Sequence, residues 1–190
     1  MNLLKKHVVA FGLLAAIGLA PLAAQADSGS GSGGSPSAAA SLNLRVTIPE
    51  FMYFRVGSTG TTVDTITFTP AAATIGDGAA TAAGDSTASI RLRSNGGQVT
   101  IAQSDDNASD DGLVSGTNRI SLSKITTNTD DGALPAPVLT DDGSLTSAPT
   151  LNGGAVTNRS AVWSYVYTED ATVPEAGDYD IEITYTATTL

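Results

Sequence analysis

Alternation of apolar and polar residues dominates this chain, and it is clearest at the C-terminal end. Tyr179, Ile181, Ile183, Tyr185 and Ala187 alternate there with Asp180, Glu182, Thr184, Thr186 and Thr188. A period of two sustained over this length predicts a half-buried β-strand, because successive side chains point to opposite faces of a sheet. The preceding Pro174-Glu175-Ala176-Gly177-Asp178 reads as a turn leading into it. A chain finishing on such a strand is expected to be a compact sheet domain. The same period appears at Leu42, Leu44, Val46 and Ile48, set against Asn43, Arg45 and Thr47. Pro49 interrupts the pattern, and Met52, Phe54 and Val56 continue it in the same parity. Either two strands or one strand bent at the proline is expected.

Between these ends the alternation is shorter. Residues 63–69 form a candidate strand, with Ile66 and Phe68 set against Val63, Thr65, Thr67 and Thr69. Residues 71–83, rich in small side chains around Gly76-Asp77-Gly78, read as a loop. Ile90 and Leu92 mark one strand and Val99 and Ile101 another. The Ser94-Asn95-Gly96-Gly97 between them predicts a hairpin, since Asn and Gly tolerate positive φ. Ile120, Leu122 and Ile125 mark a further strand. The pattern weakens over 126–160, where Thr129-Asp130-Asp131-Gly132-Ala133-Leu134 is echoed by Thr140-Asp141-Asp142-Gly143-Ser144-Leu145. Long loops with short edge strands are expected there. Residues 161–168 form a strand, and 169–176 link it to the last one. About seven or eight strands at this spacing predict an all-β, antiparallel sandwich.

The first 26 residues stand apart. Lys5 and Lys6 precede a short apolar run that ends at Ala24-Gln25-Ala26, the arrangement of a secretory signal peptide. Asp27 is then the expected mature N-terminus, and the cleavage pattern favours a Gram-negative bacterium. Residues 27–40, almost all Gly, Ser and Ala, form an expected flexible leader, followed by a single domain over 41–190. No other apolar run is long enough for a helix to cross a bilayer, so no membrane insertion is expected. The expected destination is the cell surface or the extracellular space, by way of the periplasm.

Cleavage also removes His7, the only histidine, from a chain without cysteine. A His or Cys zinc site, a Ser-His-Asp triad and a cysteine nucleophile are thereby excluded. Of the nine basic residues, loss of Lys5 and Lys6 leaves seven against nineteen acids, shifting the net charge from −10 to −12. That balance argues against nucleic acid as a partner, because phosphate binding draws on clustered Lys and Arg.

Four groups of residues could carry function. Asp105, Asp106, Asp110 and Asp111 offer oxygen ligands for calcium, yet Asn118 stands where an EF-hand loop needs its bidentate Glu. Acidic turns of this kind also serve simply as solvated surface. Trp163, Tyr165 and Tyr167 share one strand face; exposed, they could stack on sugar rings, and buried, they would dominate a core poor in aromatics. Glu50, Glu169, Glu175 and Glu182 form no spacing motif for glycosidase chemistry, and no enzymatic activity is expected. Finally, Leu42, Leu44, Val46 and Ile48 lie behind the leader as an extended peptide would if meant for a neighbouring sheet. They could equally be the first strand of their own sheet.

Taken together, the signal peptide, the alternating N-terminal segment and the Ala176-Gly177-Asp178-Tyr179 turn before an alternating last strand resemble secreted pilin-like subunits. The resemblance is to cysteine-free fimbrial major subunits of chaperone–usher systems and their spore-coat-U-like relatives. It implies an immunoglobulin-like (pilin-like) sandwich that self-associates into a fibre by strand donation, with a periplasmic chaperone and an outer-membrane usher as partners. Leu42, Leu44, Val46 and Ile48 would be the donor residues. Gly177, Tyr179, Ile181, Ile183 and Tyr185 would form the terminal strand at the subunit joint. The alternative is an extracellular binding module, complete in itself, that recognises glycan or is stabilised by calcium in a matrix or adhesin protein.

Overall fold

A computed structural model describes residues 27–106, 112–141 and 145–190. The chain divides into two units, Met1–Ile48 and Pro49–Leu190. In the first, residues 27–48 enter no strand. Leu42, Leu44, Val46 and Ile48 are 63%, 87%, 85% and 75% exposed. The expected N-terminal strand is therefore not formed, and the compact unit begins at Pro49 rather than at residue 41.

The second unit is all-β and antiparallel. Its strands are β1 (Met52–Val56), β2 (Ala80–Ser94), β3 (Val99–Asp105), β4 (Leu113–Ser115), β5 (Asn118–Ile120), β6 (Ile125–Thr129), β7 (Thr146–Ser147), β8 (Thr157–Thr168) and β9 (Ile183–Thr189). One sheet has the order β1-β2-β8-β6, the second has β7-β3-β9, and β4 pairs with β5 alone. Alternation explains how the two larger sheets face each other. Ala88, Ile90 and Leu92 of β2, Ile125 of β6, and Ala161, Trp163, Tyr165 and Tyr167 of β8 turn inward from the first sheet. Val99 and Ile101 of β3 meet them from the second, with Ile183, Tyr185 and Ala187 of β9 packed alongside.

Trp163 is the largest fully buried side chain. Its indole N–H donates to Leu134 O at 3.0 Å, and its ring meets Tyr185 edge-on with centroids 5.3 Å apart. Leu134 is delivered to this position by the first acidic turn, where Leu134 N–H donates to Asp131 O at 2.9 Å. The echoing turn does different work. Asp141 accepts from Leu122 N–H at 2.6 Å and from the Ser121 hydroxyl, which anchors a 3₁₀ turn at Leu122–Lys124. That turn splits the expected strand around 120–125 into β5 and β6.

The largest departure from the sequence reading is at Asn95-Gly96. β2 and β3 do not pair with each other: β2 pairs with β1 and β8, and β3 with β7 and β9. The link is an arch from one sheet to the other. Gly97 supplies the positive φ (108°), and no non-glycine residue has one among the described residues. Two alternating runs with a tight link read alike whether they pair edge to edge or face each other across a core. Two smaller differences accompany it. β2 begins at Ala80, inside the expected loop, and residues 63–69 join no ladder although Ile66 and Phe68 pack on the core.

Trp163→Ala should lower stability by about 3–5 kcal/mol, the usual cost of removing a buried indole. Chemical denaturation of the chain starting at Asp27 measures it. A loss under about 1 kcal/mol would mean that the ring does not anchor the two sheets.

Candidate functional site

β9 is an edge strand. β3 pairs with one side of it, and no strand pairs with the other among the described residues. Backbone alternation determines which groups point that way. Asp180 N–H donates to Val114 O at 3.1 Å, Val114 N–H returns to Asp180 O at 3.0 Å, and Asp106 N–H donates to Glu182 O at 3.2 Å. With the even positions bonded on that side, the N–H and C=O groups of Ile181 and Ile183 turn to the opposite edge.

The facing wall is the extended run 63–70, where Ile66 and Phe68 are half-buried. Its course is set just after β1. Gly57 N–H donates to Ser89 O at 2.9 Å, and Gly57 has φ +83°. Any other residue would be strained at that φ, and its Cβ would also press on the Asp64 carboxylate. Asp64 closes the loop by accepting from the Ser58 hydroxyl at 2.7 Å and from the Ser58 N–H. These bonds, the hydroxyl's first, hold its carboxyl below the usual range.

Between the two walls lies a groove of about 1950 Å³ formed wholly by the Pro49–Leu190 unit. Its apolar lining includes Ile66, Phe68, Tyr165, Tyr167, Ile183 and Tyr185. Phe68 and Tyr167 lie tilted with centroids 6.1 Å apart. Tyr165 and Tyr185 bring their hydroxyls to 3.2 Å. Burial pushes both phenols above the ordinary tyrosine range. Tyr167 is also raised, by burial first and then by Glu169, Asp170 and Tyr179.

Glu169 lines the same groove and is only 4% exposed. One carboxylate oxygen accepts from Gly76 N–H at 2.8 Å, while the other is buried without a partner. Acids also border the groove, among them Asp64, Asp106, Glu175, Asp180 and Glu182, and among the described residues no Lys, Arg or His lines it.

The terminal-strand residues read from the sequence come together here. Ile181, Ile183 and Tyr185 face the groove. Tyr179 is half-buried and donates its hydroxyl to Glu175 O at 2.9 Å. Gly177 sits where a Cβ would collide with the Ser115 hydroxyl. The aromatic row belongs to the interior: Trp163 is wholly covered and has no face for a sugar, while Tyr165 and Tyr167 are buried at the groove. That corrects the glycan-stacking alternative for Trp163.

Of the calcium candidates, Asp110 and Asp111 lie outside the described residues. Asp105 is half-buried in β3, and Asp106 accepts from Glu182 N–H at 3.2 Å. No group of three or more potential metal ligands converges among the described residues. The glutamates are spread out. Glu50 lies by Gly96, and Glu175 accepts from Asn118 Nδ2 at 2.9 Å.

Two features escaped the sequence reading. The facing wall at Ile66 and Phe68 was visible only as alternation. Asn95, read as a hairpin residue, grips the start of the unit instead: its Oδ1 accepts from Phe51 N–H at 2.8 Å and its Nδ2 donates to Pro49 O at 2.9 Å.

No family model, curated protein or solved structure matches the chain.

The tyrosine pair makes stability sensitive to alkali. Tyr165 and Tyr185 ionise at higher pH when folded than when unfolded, so above about pH 10 the unfolded state releases protons first. Their stabilisation is whole below pH 10 and is lost as pH rises beyond it, at up to about 1.4 kcal/mol per pH unit for each phenol. Denaturation curves of the chain from Asp27, taken from about pH 8 to about pH 11.5, should show this loss. Tyr185→Phe should flatten the alkaline slope, and an unchanged slope would show that the hydroxyl pair is solvated.

Proposed function

We propose that the protein is a secreted structural subunit of a bacterial surface fibre. Each copy would be joined to the next by donation of residues 42–48 into the groove beside β9. One observation carries this reading. The chain has both a groove with an open strand edge and an exposed segment whose alternation matches it. Leu42, Leu44, Val46 and Ile48 occupy alternate positions, as do Ile181, Ile183, Tyr185 and Ala187 on the wall of β9. A strand laid along β9 would bond to the outward N–H and C=O groups and place its four apolar side chains over Tyr165 and Tyr185.

Burying those four side chains is worth roughly 6–12 kcal/mol before ordering and association costs. The side chains have no such burial in the first unit, where they stand exposed. Pro49 also holds Ile48 extended, since the residue before a proline is pushed out of the helical region. Asn95 fixes the backbone on both sides of Glu50. An apolar groove of this size is an aggregation hazard before it is filled. A periplasmic chaperone to cover it and an usher to order assembly are the partners that fit.

The chain starting at Asp27 should form fibres visible by electron microscopy, and deletion of residues 27–49 should leave monomers. A peptide of residues 41–49 added to the deleted form should raise its melting temperature, as any ligand of the native state must. Fibres from the deleted chain would overturn the donation. Concentration-independent monomers of the longer chain, with residues 42–48 protected from protease, would identify a sandwich that fills its own groove.

A further inference from the structure

The geometry points to Arg45 of one copy meeting Glu182 of the next, a charge pair that keeps the donated strand from slipping toward Leu190. This rests on the strand-donation reading and names the residue that gives the joint its specificity. Apolar side chains alone leave the register loose. A slip of one residue is forbidden, because it would turn every apolar side chain outward, but a slip of two keeps all of them inward.

Charge distinguishes the registers that hydrophobicity does not. Residues 41–48 carry one charge, Arg45, at the centre of the alternating run. Its parity is opposite to that of Leu44 and Val46, so in the joint it lies on the outer face. On β9 and the residues leading into it the outer positions are Asp180, Glu182, Thr184 and Thr186, all exposed. The other flank presents the exposed Thr65 and Thr67.

Strand direction does not affect the result. Thr184 is the midpoint of 181–187, as Arg45 is of 42–48. Laying Leu42, Leu44, Val46 and Ile48 against Ile181, Ile183, Tyr185 and Ala187, parallel or antiparallel, puts Arg45 opposite Thr184. Glu182 is then its diagonal neighbour, about 7–8 Å away at Cα and within reach of two long side chains. A slip of two toward the turn places Arg45 directly opposite Glu182, with Asp180 diagonal. A slip of two toward Leu190 leaves it opposite Thr186, and Glu182 is out of reach. Arg45 therefore favours the acidic residues 180–182 that lead into β9 over the end at Leu190. The rest of the border suits an arginine, since among the described residues it carries acids and no basic residue.

The test uses the chain from Asp27 with its groove intact and follows the rate of fibre formation at low and high salt. Arg45→Glu should slow assembly about tenfold at low salt, because an attractive cross-strand pair becomes a repulsive one. About 0.5 M salt should narrow the gap, since charges at a surface are screened there. Glu182→Arg should slow assembly likewise, and the double variant Arg45→Glu/Glu182→Arg should recover most of the wild-type rate.

Melting temperatures of the monomers separate joint effects from misfolding, and Glu182→Gln is the milder substitute if Glu182→Arg lowers stability. Wild-type rates from Arg45→Glu at low salt would overturn the pair while leaving donation standing. So would a double variant slower than either single one. Absence of fibres from the wild-type chain would overturn donation and the pair together.

Discussion

Everything in the second unit turns on how the backbone of β9 satisfies its hydrogen bonds. A strand has two rows of N–H and C=O groups, and in water-exposed sheets a bare row is a site for another chain. In β9 one row is taken by β3, continued by Val114 and Asp106 at the turn end, and the other opens on the groove. The positions that offer backbone to the groove are also those whose side chains, Ile181, Ile183 and Tyr185, wall it. Edge and pocket are thus two aspects of one alternation.

The rest of the unit holds that edge in place. In this unit a single tryptophan and five tyrosines supply the larger rings besides three phenylalanines, so the core depends on where a few of them sit. β8 brings Trp163, Tyr165 and Tyr167 to the midline between the sheets, and Trp163 and Tyr165 both touch Tyr185 from across the core. The phenol pair lets polar atoms sit at the groove without being stranded, because each hydroxyl answers the other. Asp64 and Gly57 fix the opposite wall by loop chemistry rather than by sheet pairing. The groove consequently has its floor in the main core.

Much of this was readable in the amino-acid order, because period two reports which side chains face inward whatever the strand pairs with. Inward positions from Ile90 to Ile101 and from Tyr179 to Ala187 follow the alternation closely. Partnership was not readable. Ser94-Asn95-Gly96-Gly97 satisfies the composition of a hairpin turn yet arches between sheets, since the core between Leu92 and Ile101 holds them face to face. Residues 63–69 alternate without a ladder for a related reason: alternation records a half-buried environment, and a groove wall is one as much as a paired strand is. Glu169 gave no sign of its burial in the sequence, because burial of a carboxylate depends on the distant Gly76 N–H that meets it.

The acids beside the edge resolve a difficulty that an open strand creates. Two copies could pair β9 against β9, ending assembly in a symmetric dimer. Where such a pair is centred on the 180–182 end, Asp180 and Glu182 of both copies would stand on facing or diagonal positions, and like charges there are destabilising. Charged edge residues are a common defence against strand-to-strand association. A segment carrying a lone arginine would meet the same acids as attraction. On the donation proposed above, the residues leading into β9 would discriminate by sign between their own copy and residues 42–48, although both offer alternating apolar side chains of similar size. An edge that must stay open to one strand and closed to its own likeness needs that kind of asymmetry, and hydrophobic matching alone does not provide it.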